Sequence, residues 1–136
     1  MLKYNFLLYL ISPFIFLKLI AYCLKNSSSL SYISTKLFGK NLTRNYSLWL
    51  HAASVGEMKI AIKVSEYLLK KGYKDILITS NTLSSEFIFK ESNLNGVDHC
   101  YLPFDFFFAT KKFVKSVSAD LLIIIETEIW PNLYRL

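Results

Sequence analysis

Leu48-Trp49-Leu50-His51-Ala52-Ala53-Ser54-Val55-Gly56-Glu57 is the stretch on which the fold turns. Its apolar opening, Leu48 to Ala52, reads as a buried strand, and a helical pattern follows at once. From Met58 to Lys71, residues Ile60, Ala61, Val64, Leu68 and Leu69 recur at helical spacing, with Lys59, Lys63, Glu66 and Lys70 turned outward. Gly72 closes that helix. Further along, Ile76 to Thr79 reads as a second strand, Ser84 to Glu91 as a second helix, and Val97 to Leu102 as a third strand ending at Pro103. Phe106 to Ser116, carrying Lys111, Lys112 and Lys115, reads as an aromatic-rich helix before a fourth buried strand, Leu121 to Ile125. This βαβαβαβ alternation predicts an α/β fold with a doubly wound, Rossmann-like parallel sheet.

Open parallel sheets bind ligands beyond the carboxyl ends of their strands, and two acid-bearing junctions fall there. The first is Ser54-Val55-Gly56-Glu57; the second is Glu126-Thr127-Glu128-Ile129-Trp130-Pro131-Asn132. Glu57 would face exposed N–H groups and the positive end of the helix dipole, a setting suited to a proton acceptor. Acids in a first helical turn also serve stability alone, and strand ends carry solvated acids routinely, with Trp130 and Pro131 then capping a strand and starting a helix. No G-x-G-x-x-G or Walker sequence marks a nucleotide pocket. His51 and His99, on predicted strands, are expected to be packed or hydrogen-bonded core residues and not metal ligands. Cys23 and Cys100 form neither a metal knuckle nor a disulfide framework, which fits a reducing compartment.

With 136 residues, 53% hydrophobic and 16% aromatic, the chain holds enough apolar material for one domain core and is not a disordered segment. Its charge is uneven. Lys3, Lys18, Lys25, Lys36, Lys40 and Arg44 precede the first acid, Glu57, whereas the later bases and acids balance. A basic leader on a neutral body points to anionic lipid or another polyanion and not to a basic fold surface, and no nucleic-acid partner is expected. Within the leader, Phe6 to Leu24 is apolar apart from Ser12, Pro13 and Lys18, and as a helix would reach about 30 Å, enough to cross a bilayer core. Ala21-Tyr22-Cys23-Leu24 lacks the small-residue pair of a cleavage site, so the anchor is expected to persist. A monotopic or core helix is the alternative. Lys18 would snorkel, while Lys25, Lys36, Lys40 and Arg44 would hold the following domain on the cytoplasmic side. The expected organisation is a membrane anchor over 1–25, a basic juxtamembrane linker over 26–47 whose bases face anionic headgroups, and a Rossmann-like domain over 48–136. Sequons at Asn26, Asn41 and Asn45 matter only in a secreted chain.

Four segments, in order, resemble the signature of the Kdo transferases, which add 3-deoxy-D-manno-octulosonic acid (Kdo) to the lipid A precursor. They are Leu48 to Glu57, Thr79-Ser80-Asn81-Thr82, Tyr101-Leu102-Pro103-Phe104-Asp105, and Glu126 to Asn132. Ser84 and Ser85 depart from the Thr and Gly that the family usually carries after its Thr-rich element. The resemblance implies a GT-B glycosyltransferase of the bacterial inner membrane, whose N-terminal half receives lipid IVA and whose C-terminal half binds CMP-Kdo. Glu57 would be the general base of an inverting transfer and Glu126 a second functional acid, with Glu128 ranked behind it. Ser54 and Gly56 would let backbone approach the sugar, and neither cofactor nor metal would be required. Because the sequence stops at Leu136, just past the W-P-N block, the resemblance implies an acceptor half, complete or not, whose donor half is supplied by a second polypeptide or lost in a split gene. The alternative is a non-catalytic, membrane-tethered acceptor-binding fragment or remnant.

Overall fold

The computed structural model describes residues 2–25, 30–126 and 128–136. Thr127 and the polar start of the expected linker, Asn26 to Ser29, lie outside the described residues. Strands β1 (Leu48–Ala52), β2 (Ile76–Ser80), β3 (Val97–Tyr101) and β4 (Leu121–Ile124) form one parallel sheet in the order β3-β2-β1-β4. Side chains of β1 alternate between the two faces of that sheet, as the strand period requires. Leu48, Leu50 and Ala52 pack with Met58, Ala61 and Ile62 of helix α3 (Val55–Lys70) and with Ile88 and Phe89 of helix α4 (Leu83–Glu91). Trp49, with Leu77, meets Phe113 and Val117 of helix α5 (Phe107–Val117). The α3 and α4 crossovers run in one direction and cover one face, and the α5 crossover runs back and covers the other, the doubly wound arrangement predicted from the alternation. Strand order reverses between β1 and β4, so both acid junctions lie at that switch point.

One expectation changes with position. β4 was expected to be buried like β1, yet Leu121 is 52% exposed and Leu122 to Ile124 are half-buried. Its neighbour on one side is β1 and, among the described residues, it has no strand on the other. An apolar run thus marks a strand without showing how central it is.

The larger difference is in the stretch expected to be a linker. Leu30–Phe38 forms helix α2, with Tyr32, Thr35 and Lys36 buried. The Tyr32 hydroxyl donates to the Asn81 carbonyl at 3.1 Å and its ring meets Tyr101 edge-on at 4.5 Å, tying α2 to the carboxyl ends of β2 and β3. Gly39 ends the helix at φ 71°, where a Cβ would come within 3.2 Å of the Ala109 carbonyl and the Phe113 Cβ, so this turn needs glycine. Arg44 pairs with Asp75 and, at 3.5 Å, with Asp98. Lys36 is therefore engaged with the domain, because α2 packs it against strand ends that supply the acceptors, and Arg44, half exposed, is ion-paired to the domain.

Helix α1 (Leu2–Lys25) is the one described helix long and apolar enough to cross a membrane. It lies along the domain. Tyr4 donates to Asp105 Oδ2 at 2.9 Å, Tyr9 stacks on Phe106, and Leu19 and Cys23 are buried with Tyr32 and Tyr101. The opposite stripe, Leu2, Phe6, Leu10, Phe14, Leu17 and Leu24, follows helical spacing and is exposed.

Candidate active site

Helix α3 starts three residues earlier than the apolar pattern alone suggests, at Val55, because Ser54 caps it. Ser54 Oγ accepts from the Glu57 N–H at 3.3 Å and donates to Glu57 Oε1 at 2.7 Å; Glu57 Oε2 accepts from the Ala53 N–H at 2.7 Å. This is a capping box, reaching one residue further back than usual. The arrangement stabilises the helix and holds the carboxylate at the carboxyl end of β1. Both oxygens keep acceptor capacity for a further donor. Glu57 is half-buried and takes part in none of the ion pairs found among the described residues. Gly56 is exposed, and a Cβ there would meet only Ser54 Oγ, at 3.9 Å. Nothing in the fold itself demands glycine at that position, so the open space above it is available to a ligand.

Parallel register sets His51 beside Thr79, and the imidazole Nδ1 lies 2.9 Å from Thr79 Oγ1. The ring is fully buried, and Nε2 has no hydrogen-bond partner. That nitrogen is 3.9 Å from Glu128 Oε2, which accepts from the Trp130 indole N–H at 2.7 Å. Burial pulls the His51 pKa down to about 4; the Lys36 charge deepens the shift, while Glu57 and Thr79 oppose it. His99, bonded to Ser80 Oγ at 2.9 Å and stacked on Phe89, is likewise drawn to about 4 by burial, with Glu86 opposing. Both histidines are thus packed and hydrogen-bonded, as expected from the strands. Each stays neutral in the fold but takes a proton when unfolded between pH about 6.5 and about 4. Since the unfolded chain then binds more protons, stability should fall as the pH drops through that window. Urea unfolding should show a shallower fall for His99→Gln than for the natural chain.

Of the two acids in the Glu126 to Asn132 block, Glu128 is the one the structure brings to His51 and Trp130. Glu126 is exposed on the rim, in left-handed backbone conformation at φ 69°. A non-glycine residue held there carries strain of the kind that collects at functional sites. Sequence reasoning missed Lys36, whose ammonium donates to Asn81 Oδ1 at 3.1 Å and to the Leu102 carbonyl at 2.7 Å, directly under the strand ends. It also missed what joins two of the motifs. The Asp105 carboxylate, buried, accepts from the Asn132 N–H at 2.8 Å and the Leu133 N–H at 3.1 Å, locking the Tyr101 to Asp105 element onto the W-P-N turn. Among the described residues no group of three or more His, Cys, Asp and Glu side chains is placed to hold a metal ion.

Residues 26–136 match the family model described as 3-Deoxy-D-manno-octulosonic-acid transferase (kdotransferase). The chain belongs to that family. Among individual Kdo transferases, it is 33% identical over 133 residues to 3-deoxy-D-manno-octulosonic acid transferase of Rickettsia bellii, covering 95% of this chain and 32% of the relative. The Haemophilus influenzae enzyme of the same name is 38% identical over 89 residues, 63% of this chain and 20% of its own length. A probable mitochondrial 3-deoxy-D-manno-octulosonic acid transferase of Arabidopsis thaliana is 36% identical over 87 residues, again 63% and 20%. The chain therefore spans a third or less of the Kdo transferases it matches. All four quoted segments, and the capped Glu57 with them, fall inside the matched residues.

Proposed function

We propose that this chain is the acceptor-binding half of a GT-B glycosyltransferase that moves Kdo from CMP-Kdo to lipid IVA during lipopolysaccharide synthesis. The observation that carries the reading is the Glu57 carboxylate, oriented by two hydrogen bonds at the strand-end switch point and free of any ion pair among the described residues. Glu57 takes the proton of the acceptor hydroxyl as that oxygen bonds to the anomeric carbon of Kdo. The bond from this carbon to the CMP phosphate breaks, and its electron pair leaves with the phosphate. Attack opposite the leaving group inverts the anomeric centre through an oxocarbenium-like transition state. CMP-Kdo is held by the donor half. Ser54 and Gly56 admit the sugar to the helix terminus, and Glu126 supports it from the rim.

Gly56 gives a test that separates ligand contact from folding. Gly56→Ala should leave unfolding stability unchanged or raise it by up to about 1 kcal/mol, because alanine favours helix and has room. The same variant should slow Kdo transfer by about tenfold or more, through the methyl group placed under the acceptor. Wild-type transfer by Gly56→Ala removes the acceptor from this turn. Binding of lipid IVA by the natural chain with no Kdo transfer once a donor half is supplied would favour the tethered binding fragment instead.

The same reading places the domain on the cytoplasmic face of the inner membrane. Helix α1 packs one stripe on the domain and offers the other, apolar apart from Lys3, to its surroundings, which favours a helix lying in the bilayer interface over one crossing it. Leu10→Asp combined with Phe14→Asp should therefore shift the protein from the membrane pellet to the soluble fraction without changing its circular dichroism. If both substitutions leave it in the pellet, the basic residues and not the apolar stripe hold it there.

A further inference from the structure

Lys36 is 3% exposed, yet none of the ion pairs found among the described residues includes it. Its Nζ has two neutral acceptors, Asn81 Oδ1 and the Leu102 carbonyl, and lies 5.0 Å above the Phe104 ring. Those partners use two of the three ammonium protons and none of its charge. Leaving a charge buried without a counter-ion is costly, and burial draws the Lys36 pKa down to about 7 despite the opposing Glu128. An anion delivered to this position would supply what the fold withholds.

There is room for one. Lys36 borders a cleft of about 630 Å³ between α1 and the carboxyl ends of the strands, walled by Ile15, Leu19, Tyr32, Phe104 and Trp130. Lys18 stands at the same cleft from α1. An apolar wall with two bases and no acid fits a long hydrocarbon chain ending in a negative head. The outer stripe of α1 faces the bilayer in the reading above, so a chain entering the cleft crosses little more than the width of one helix, about 10 Å.

We infer that this cleft binds one anionic phospholipid molecule, an acyl chain lying along the inner stripe of α1 and a phosphate on its head facing Lys36. The inference rests on the membrane-facing α1 proposed above. It needs no sugar donor, so it can be tested apart from transfer.

Trp130 borders the cleft and reports its filling. The full chain, in vesicles containing phosphatidylglycerol brominated midway along one acyl chain, should lose at least about half of the Trp130 emission, isolated by difference from Trp130→Phe. Brominated phosphatidylcholine at equal content should need about fivefold more lipid for the same quenching, the scale of one charge contact at a lipid surface. Lys36→Met should erase that preference, whereas Lys25→Met, at an exposed base, should keep it. Ile15→Phe, which narrows the cleft with Lys36 intact, should weaken quenching by both lipids and guards against misfolding of Lys36→Met. Equal quenching by the two lipids, a preference that survives Lys36→Met, or quenching that survives Ile15→Phe would overturn the inference. Preferential quenching, with no Kdo transfer by this chain assembled with a donor half, would uphold the inference and remove the transferase reading.

Discussion

Asp105→Ala should lower the unfolding free energy by about 3 kcal/mol or more, because it removes one buried acceptor from four donors at once. The Asp105 carboxylate takes the Tyr4 hydroxyl at 2.9 Å, the Asn132 N–H at 2.8 Å, the Leu133 N–H at 3.1 Å and the Thr110 hydroxyl at 3.3 Å. These donors come from α1, from α5 and from the short 3₁₀ turn Leu133–Arg135 with its cap. Alanine leaves the two backbone N–H groups buried without an acceptor, each costing about 1 to 3 kcal/mol. Tyr4→Phe deletes a single bond on the partly exposed side and should cost only about 1 kcal/mol. Urea unfolding followed by circular dichroism checks both, and equal midpoints for the two variants would show that Asp105 does not join these elements.

Glu57→Gln should slow Kdo transfer by at least about a hundredfold, the scale of a lost general base, in a transferase assembled from this chain and its donor half. Glutamine suits this substitution. Its amide oxygen can still accept from the Ala53 N–H, and capping boxes accept Glu or Gln alike, so the helix start survives. Glu57→Ala lacks that replacement. It should lose the transfer and, in addition, about 1 kcal/mol of stability with the cap. Comparing kcat/KM with urea midpoints for the two variants separates the chemical role of the carboxylate from its structural one.

Much of this arrangement is visible in the residues. Leu48 to Ala52 and Ile76 to Ser80 are apolar on both faces and short, which in a chain of alternating helical patterns means parallel central strands. Ser54 and Glu57 stand at capping-box spacing, so the element that holds the candidate base is also written locally. α2 is not. Leu30, Ile33 and Leu37 stand at helical spacing, but nine residues that include Ser31, Ser34, Thr35 and Lys36 are too few to stand out, and contact with Tyr101 and Asn81 makes them a packed helix. The same long-range pairing hides Lys36 and Asp105, whose partners lie 66 and 27 residues away. Glu126 and Glu128 are two residues apart, and their spacing does not reveal that Glu128 comes to His51 while Glu126 is exposed.

The single-turnover rate of Glu57→Gln at saturating lipid IVA and CMP-Kdo isolates the chemical step from binding at both sites. Proton removal by Glu57 requires a rate at least about a hundredfold below that of the natural enzyme, with lipid IVA still bound. A rate within about threefold of natural would mean that the carboxylate at the end of β1 caps a helix and takes no part in the reaction.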